Sequence, residues 1–180
     1  MDTKKILVLS ASARKGGNTD LLCDEFIRGA KLAGHTVEKL HVAFMQVKGC
    51  MGCRVCQGNG GLCVQQDDMT EIYAKIKAAD VIVYASPVYF YSFNAQLKAV
   101  MDRTFAIEKV IHGKTVYLIT TGAAPKREYM SLITEHFRRY ISCFNHLTIG
   151  GIIIGCGTTE KKDIIGSATI QEAYEMGKNL

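Results

Sequence analysis

Apolar residues fall in short blocks along this chain, and their spacing changes from one block to the next. Ile6 to Leu9 form a continuous apolar run that reads as a strand buried on both faces, and the small and polar residues Ser10 to Thr19 follow it. Leu22, Phe26, Ala30 and Ala33 then recur at helical spacing, with Gly34 placed to end the helix. Val37 to Val42 alternates like a second strand. Asp68 and Glu71 form an acidic variant of a capping box, and Ile72, Ile76 and Ala79 continue the face of the helix it would start. Val81 to Ala85 is a third, fully apolar strand, followed by SPVYFYSFNAQ and a helix with Leu97, Val100, Met101, Thr104 and Phe105 on one side. Thr115 to Thr120 reads as a fourth strand and Leu147 to Ile154 as a fifth. Between them Met130, Ile133, Phe137, Ile141 and Phe144 mark a helix, and Ser167 to Lys178 reads as a closing one.

Strand and helix alternate five times with short connections, which selects an α/β fold: a doubly wound, five-stranded parallel sheet with helices on both faces. At 180 residues and 48% hydrophobic the chain suits one domain, 1–180, with a substantial core. In such sheets ligands sit at the carboxyl ends of the strands, near the point where strand order reverses. Three loops therefore matter: Ser10 to Thr19, Ser86 to Asn94, and Thr120 to Pro125.

The first of these, SASARKGGNT, joins a strand to a helix start, where unpaired N–H groups and a positive dipole end favour a phosphate. Ser12, Asn18 and Thr19 are candidate donors and Arg14 a candidate charge partner. A polar turn capped by Asn18 would give the same sequence, and neither the GxxxxGK[ST] nor the GxGxxG pattern is present. The second loop places Tyr89, Phe90 and Tyr91 where a ligand would sit, and exposed aromatics of this kind cover either a ligand or a neighbouring chain. In the third, Thr121 and Gly122 offer backbone N–H groups and a hydroxyl to a flat polar ring, although a glycine after a strand is common without any ligand. A phosphate at one end of a crevice and a hydrogen-bonded ring at the other fits FMN.

Charge and cysteine usage narrow the partners. The formal charge of +5 is spread over residues such as Lys4, Lys5, Arg138, Arg139, Lys161 and Lys162, without the concentrated patch that nucleic acid requires. The opening MDTKKILVLSAS has an apolar run too short to span a bilayer, followed by polar residues and no cleavage site, and no later stretch is long and apolar enough. No membrane association is expected. Seven cysteines, an odd count with no secretory signal, indicate a reducing compartment, with cytoplasm as the expectation, and thiols or metal ligands over a disulfide framework. Cys23, Cys143 and Cys156 fall in helix or strand patterns and read as core residues. The five histidines show no ligand spacing, and none is assigned to chemistry.

The order SxSxRKGGNT, CxxCxxC with a later cysteine and DDM, then ADVIVYASPVYFYSFNAQLKAVMDRT resembles the NADPH-dependent FMN reductase family of flavodoxin-like proteins, and more narrowly its iron-sulfur flavoprotein branch. The likeness covers the first two thirds of the chain and fades after Pro125. It implies that Ser12, Arg14, Asn18 and Thr19 hold the FMN phosphate. It also implies that Pro87, Val88, Tyr89 and Phe90 lie along the isoalloxazine ring and that Thr121 and Gly122 close its other side. The chain departs from the family pattern at Ala11 to Arg14, where Gly-Ser-Pro-Arg is frequent, and at Tyr91, where a small residue is usual.

The cysteine-rich loop at 48–66 carries Cys50, Cys53, Cys56 and Cys63. Intervals of three, three and seven can converge on one [4Fe-4S] cluster, and Gly58, Gly60 and Gly61 give the chain freedom to bring Cys63 back. Zinc prefers two separated pairs, and an empty or disulfide-linked loop has the same spacing. The resulting expectation is an FMN-dependent oxidoreductase that takes electrons from NAD(P)H and passes them to a small acceptor, with no side chain acting as nucleophile or base. A second version receives electrons from ferredoxin through the cluster, a third is a non-catalytic redox sensor, and a fourth is a scaffold domain. Burying the aromatics of residues 89–93 calls for a homodimer or larger assembly.

Overall fold

A computed structural model describes residues 2–180. Among the described residues the strands are β1 (Lys5–Ser10), β2 (Thr36–His41), β3 (Val81–Tyr89), β4 (Ser92–Phe93), β5 (Thr115–Thr121) and β6 (Thr148–Gly155). Five are parallel in the order β2-β1-β3-β5-β6, while the two-residue β4 folds back antiparallel on the end of β3. The helices are α1 (Asn18–Leu32), α2 (Val55–Gly58), α3 (Met69–Ala78), α4 (Ala95–Arg103), α5 (Ser131–Ser142) and α6 (Ala168–Lys178). This is the doubly wound, flavodoxin-like arrangement that the alternating pattern predicts. Strand order reverses at β1, so the crevice lies between β1 and β3.

Period-two alternation divides the apolar strand residues between two cores. Leu7, Leu9, Ile82, Tyr84 and Leu118 point to the face covered by α3, α4 and α5, where Ile72, Ile76, Leu97, Val100 and Phe137 meet them. Ile6, Val8, Val83 and Ile119 point to the opposite face, against Leu22 and Phe26 of α1 and Ala173 of α6. Each fully buried side chain of this kind contributes about 1.5–3 kcal/mol. Helix α1 ends as its sequence requires: Gly34 has φ +87, and its N–H donates to the Lys31 carbonyl.

Four local readings need correction. Asp68 does not cap α3, because its carboxylate accepts from the Gln46 N–H at 2.7 Å; Asp67 instead accepts from the Met69 N–H at 3.1 Å. Glu71 turns along the helix to Lys75 at 3.7 Å, so no capping box closes. Cys143 is exposed at the C-terminal end of α5, and Cys156 is only half-buried, whereas Cys23 is buried as expected. Thr104 and Phe105 lie in a 3-10 turn after α4, because the helix tightens at its end. Along β5 and β6 the register shifts between Val116 and Tyr117, leaving Gly150 as an extra residue opposite the Tyr117 ring, which a methyl there would strike.

Candidate cofactor cleft and cysteine pocket

The loop after β1 is built to leave helix donors open. Ser12 Oγ donates to the Arg14 carbonyl at 2.9 Å, and the Gly17 N–H donates to the same carbonyl at 2.8 Å, which closes a tight turn. A Cβ at Gly17 would lie 2.8 Å from that oxygen, so only glycine fits at this N-cap. No side chain caps α1, and its first-turn N–H groups lie at the wall of a cleft of about 200 Å³.

Asp20 staples this loop. It is buried, accepts from Ser10 Oγ at 3.1 Å and from the Gly16 N–H at 2.8 Å, and pairs with Lys39 at 2.5 Å. Burial pushes its carboxyl up, but Lys39, the Gly16 N–H and His41 pull it down further, and the net direction is below the ordinary range. Also on α1, burial pushes the Cys23 thiol up to about 12, which leaves it an inert core group.

The other walls come from the ends of β3 and β5. Pro87, Val88 and Tyr89 line one side, and Thr121, Gly122 and Ala123 the other. Thr19 and Thr121 join hydroxyls at 2.7 Å across the buried floor. Asn94, also buried, ties three segments together. Its side chain accepts from the Leu97 N–H at 3.2 Å to cap α4, donates to the Ala11 carbonyl at 2.5 Å, and receives Ser86 Oγ at 3.3 Å.

Nine of the ten residues expected at the flavin, Ser12, Arg14, Asn18, Thr19, Pro87, Val88, Tyr89, Thr121 and Gly122, therefore line one cleft. Phe90 does not. It is fully exposed at φ +49 in the two-residue turn between β3 and β4, beside Tyr91 at φ +63, and faces a groove against α5. Several donor roles are also redistributed. Asn18 donates to the Glu160 carbonyl at 2.8 Å and accepts from the Ile164 N–H, Arg14 donates to the Thr159 carbonyl at 3.1 Å, and the Gly122 N–H is taken by the Gly155 carbonyl at 3.0 Å.

Those bonds reveal a fourth wall that the sequence reading left out. Thr158, Thr159 and Lys161, beyond β6, line the cleft, and Thr158 bonds back to the Gly122 carbonyl through N–H at 2.9 Å and Oγ1 at 3.2 Å. The signal was present as GTTEKK, a polar, cationic loop at the carboxyl end of a strand. It obeys the same rule as the other three loops, but β6 lies two strands from the reversal point.

The cysteine loop is pinned at its base. Arg103, at the end of α4, forks onto Asp67 at 2.7 and 3.1 Å and donates to the Lys48 carbonyl at 2.9 Å, while Asp67 accepts from the Lys48 N–H at 3.0 Å. Burial pushes the Asp67 carboxyl up, and Arg103 together with the Lys48 and Met69 N–H groups brings it below the ordinary range. Farther along the loop, Gln65 donates to the Gly49 carbonyl and Gln57 to the Phe105 carbonyl. Cys50, Cys53, Cys56 and Cys63 are free thiols on the wall of one pocket, alongside Tyr73, Arg103 and Ala106. Among the described residues no three metal-ligating side chains converge closely enough to hold an ion.

The cleft suits the group that the sequence suggests there. In the cleft, an uncapped helix start, a glycine cradle and the cations Arg14 and Lys161 fit a phosphate, and the walls formed by Val88, Tyr89 and Gly122 fit a flat ring. In the cysteine pocket, four thiols of the soft donor type share one wall without converging on a metal position. No helix is long and apolar enough to cross a membrane among the described residues.

Known proteins place the chain in the same terms. A sequence model of NADPH-dependent FMN reductases matches residues 4–157. An iron-sulfur flavoprotein of Archaeoglobus fulgidus is 35% identical over 180 residues, covering 98% of this chain and 78% of the relative. An iron-sulfur flavoprotein of Methanosarcina thermophila is 37% identical over 105 residues, 58% of this chain and 54% of that relative, so the match spans about half of its length. The solved NAD(P)H:quinone oxidoreductase from Methanothermobacter marburgensis superposes with a TM-score of 0.75 over 99% of both chains at 17% identity, a likeness of fold alone. With a family match that runs through all five parallel strands, the chain belongs to the NADPH-dependent FMN reductase family.

Proposed function

We propose that this chain binds FMN in the four-walled cleft and uses it to pass electrons from NAD(P)H to a small acceptor. The observation that carries the reading is the convergence of four loops on one cleft at the strand-order reversal, with helix donors and cations at one end and an apolar wall at the other. Bound FMN would supply hydride and single-electron chemistry. The chain's own part is to bind and orient. The first turn of α1, Ser12 and Lys161 hold the phosphate, and Thr19 with Thr121 keeps the floor closed. Arg14 and Asn18 act partly at one remove, by holding the 158–164 loop over the site. Val88 and Tyr89 support one face of the ring, and Gly122 lets it approach β5. No side chain in the cleft is set up as nucleophile or general base.

The test is a titration of purified protein with FMN, followed by anaerobic mixing with NADPH and, separately, NADH. Binding at micromolar FMN and reduction by either nicotinamide support the reading. Failure of FMN to bind at that concentration overturns it.

A second component of the function rests on the cysteine pocket. Cys50, Cys53, Cys56 and Cys63 hold an iron-sulfur cluster of the [4Fe-4S] type, through which electrons are exchanged with a protein carrier such as ferredoxin. Four free thiols on one pocket wall, on a loop pinned at both ends, support it, as do the names of the relatives. Iron and acid-labile sulfide near four per chain in protein handled without oxygen are expected. Metal-free protein after reconstitution, or flavin reduced by NADPH but not by reduced ferredoxin, removes this component and leaves the cleft chemistry standing.

A further inference from the structure

Asp20 is the third residue of α1, and it performs half of a capping box. In a full box the N-cap side chain reaches forward to the third N–H, while an acidic or amide side chain at the third position reaches back. The backward half is present. The Asp20 carboxylate accepts from the Gly16 N–H at 2.8 Å, one residue before the N-cap, because the Gly17 N–H is already held by the Arg14 carbonyl. The forward half is missing, since Gly17 has no side chain to send and no other side chain caps the helix. The loop is thus locked from behind while its first turn stays open toward the cleft.

The lock also brings a negative charge to a place that should not hold one. Asp20 is 4% exposed, and a buried carboxylate beneath a phosphate seat repels a dianion. Lys39, reaching over from β2, cancels it: the ammonium meets Asp20 at 2.5 Å and is itself largely covered. Ser10 Oγ donates to the same carboxylate at 3.1 Å, and the His41 ring stands 3.7 Å away. Lys39 also meets Asp24 at 2.7 Å, but that carboxylate is 55% exposed, where water and salt screen it.

We propose that Asp20 is a positioning residue for the phosphate of the bound flavin, acting through the Gly16 N–H to set the loop, with Lys39 as the counter-charge that makes a carboxylate tolerable there. The inference rests on the FMN reading above. Neither side chain lines the cleft, so neither touches the ligand; both act on the backbone and the field around it. The flavin ring and ribityl chain are bound elsewhere in the cleft, so the pair governs the phosphate's share of the affinity and little else.

The experiment titrates the purified full chain with FMN and, separately, with riboflavin, which has the same ring and ribityl chain but no phosphate. Wild type is compared with Asp20→Ala, Asp20→Asn and Lys39→Met, the fold of each being checked by circular dichroism. The readout is the ratio of the two dissociation constants, which a general loosening of the cleft would not move. In Asp20→Ala the preference for FMN over riboflavin is expected to fall about tenfold, the worth of one organising hydrogen bond. Asparagine keeps an acceptor for the Gly16 N–H, so Asp20→Asn should hold the preference close to that of wild type. An unchanged preference in Asp20→Ala overturns the positioning role while the FMN reading survives, and so does a loss in Asp20→Asn as large as in Asp20→Ala. Where Asp20→Ala fails to fold, Lys39→Met decides. It leaves the lock in place with its charge unbalanced, so the preference should fall, and fall further at low salt than at high. A preference that does not respond to Lys39 overturns the proposal. Wild-type protein that binds neither flavin overturns the FMN reading with it.

Discussion

At the scale of single residues, the cleft is held by buried polar groups whose partners are distant in sequence. Asp20 has the clearest energetic consequence. Its folded carboxyl lies below the unfolded value of about 3.9, so its stabilisation is present in full above that pH and is lost as pH falls through the folded value. Asp20→Asn is expected to cost about 2 kcal/mol at pH 7, the size of a charge-assisted buried bond. The difference from wild type should shrink as pH drops below about 4. Urea unfolding at several pH values checks it, and a gap that stays constant down to pH 3 would contradict the assignment. Ser12, Thr19 and Thr121 were legible in the sequence because a polar stretch after an apolar strand has a place in this fold class. Asp20 and Asn94 were not, since a carboxylate that binds Gly16 or an amide that binds Ala11 leaves no periodic trace.

Among the elements, the pairing of α1 with α6 depends on two glycines that let the backbones touch. A methyl on Gly29 would strike the Tyr174 carbonyl, and one on Gly177 would strike the Phe26 carbonyl, both rigid backbone atoms. Gly29→Ala is therefore expected to destabilise the fold by about 3 kcal/mol, at the upper end for overpacking, despite alanine's better helix propensity. Thermal melting checks this: a raised midpoint would show that the helices separate freely. The five parallel strands and the main helices were legible from spacing, with boundaries shifted by one or two residues except in β3, which runs on four residues past Ala85 to Tyr89. Strand β4, the Gly150 bulge and this helix contact were hidden, because each depends on which element lies opposite.

For the molecule as a whole, the turn at Phe90 and Tyr91 is its most exposed aromatic feature, and both residues hold positive φ without being glycine. Keeping large side chains in that conformation costs of order 1–3 kcal/mol each, which a covering partner would offset. We propose that a second copy of the chain covers it. Light scattering should give a dimer or larger, and Phe90→Asp should shift it toward monomer; a monomeric wild type at working concentration ends the proposal. The fourth wall of the cleft has its own consequence, in time and not in space. Asn18 meets Glu160 and Ile164 across 142 and 146 residues of chain. A loop of that length closes late, and little can reward it until β6 is in place. The fourth wall therefore cannot close before β6 is in place, and a chain whose last strand is unpaired is expected to lose the cleft's affinity for FMN while the rest of the sheet still stands.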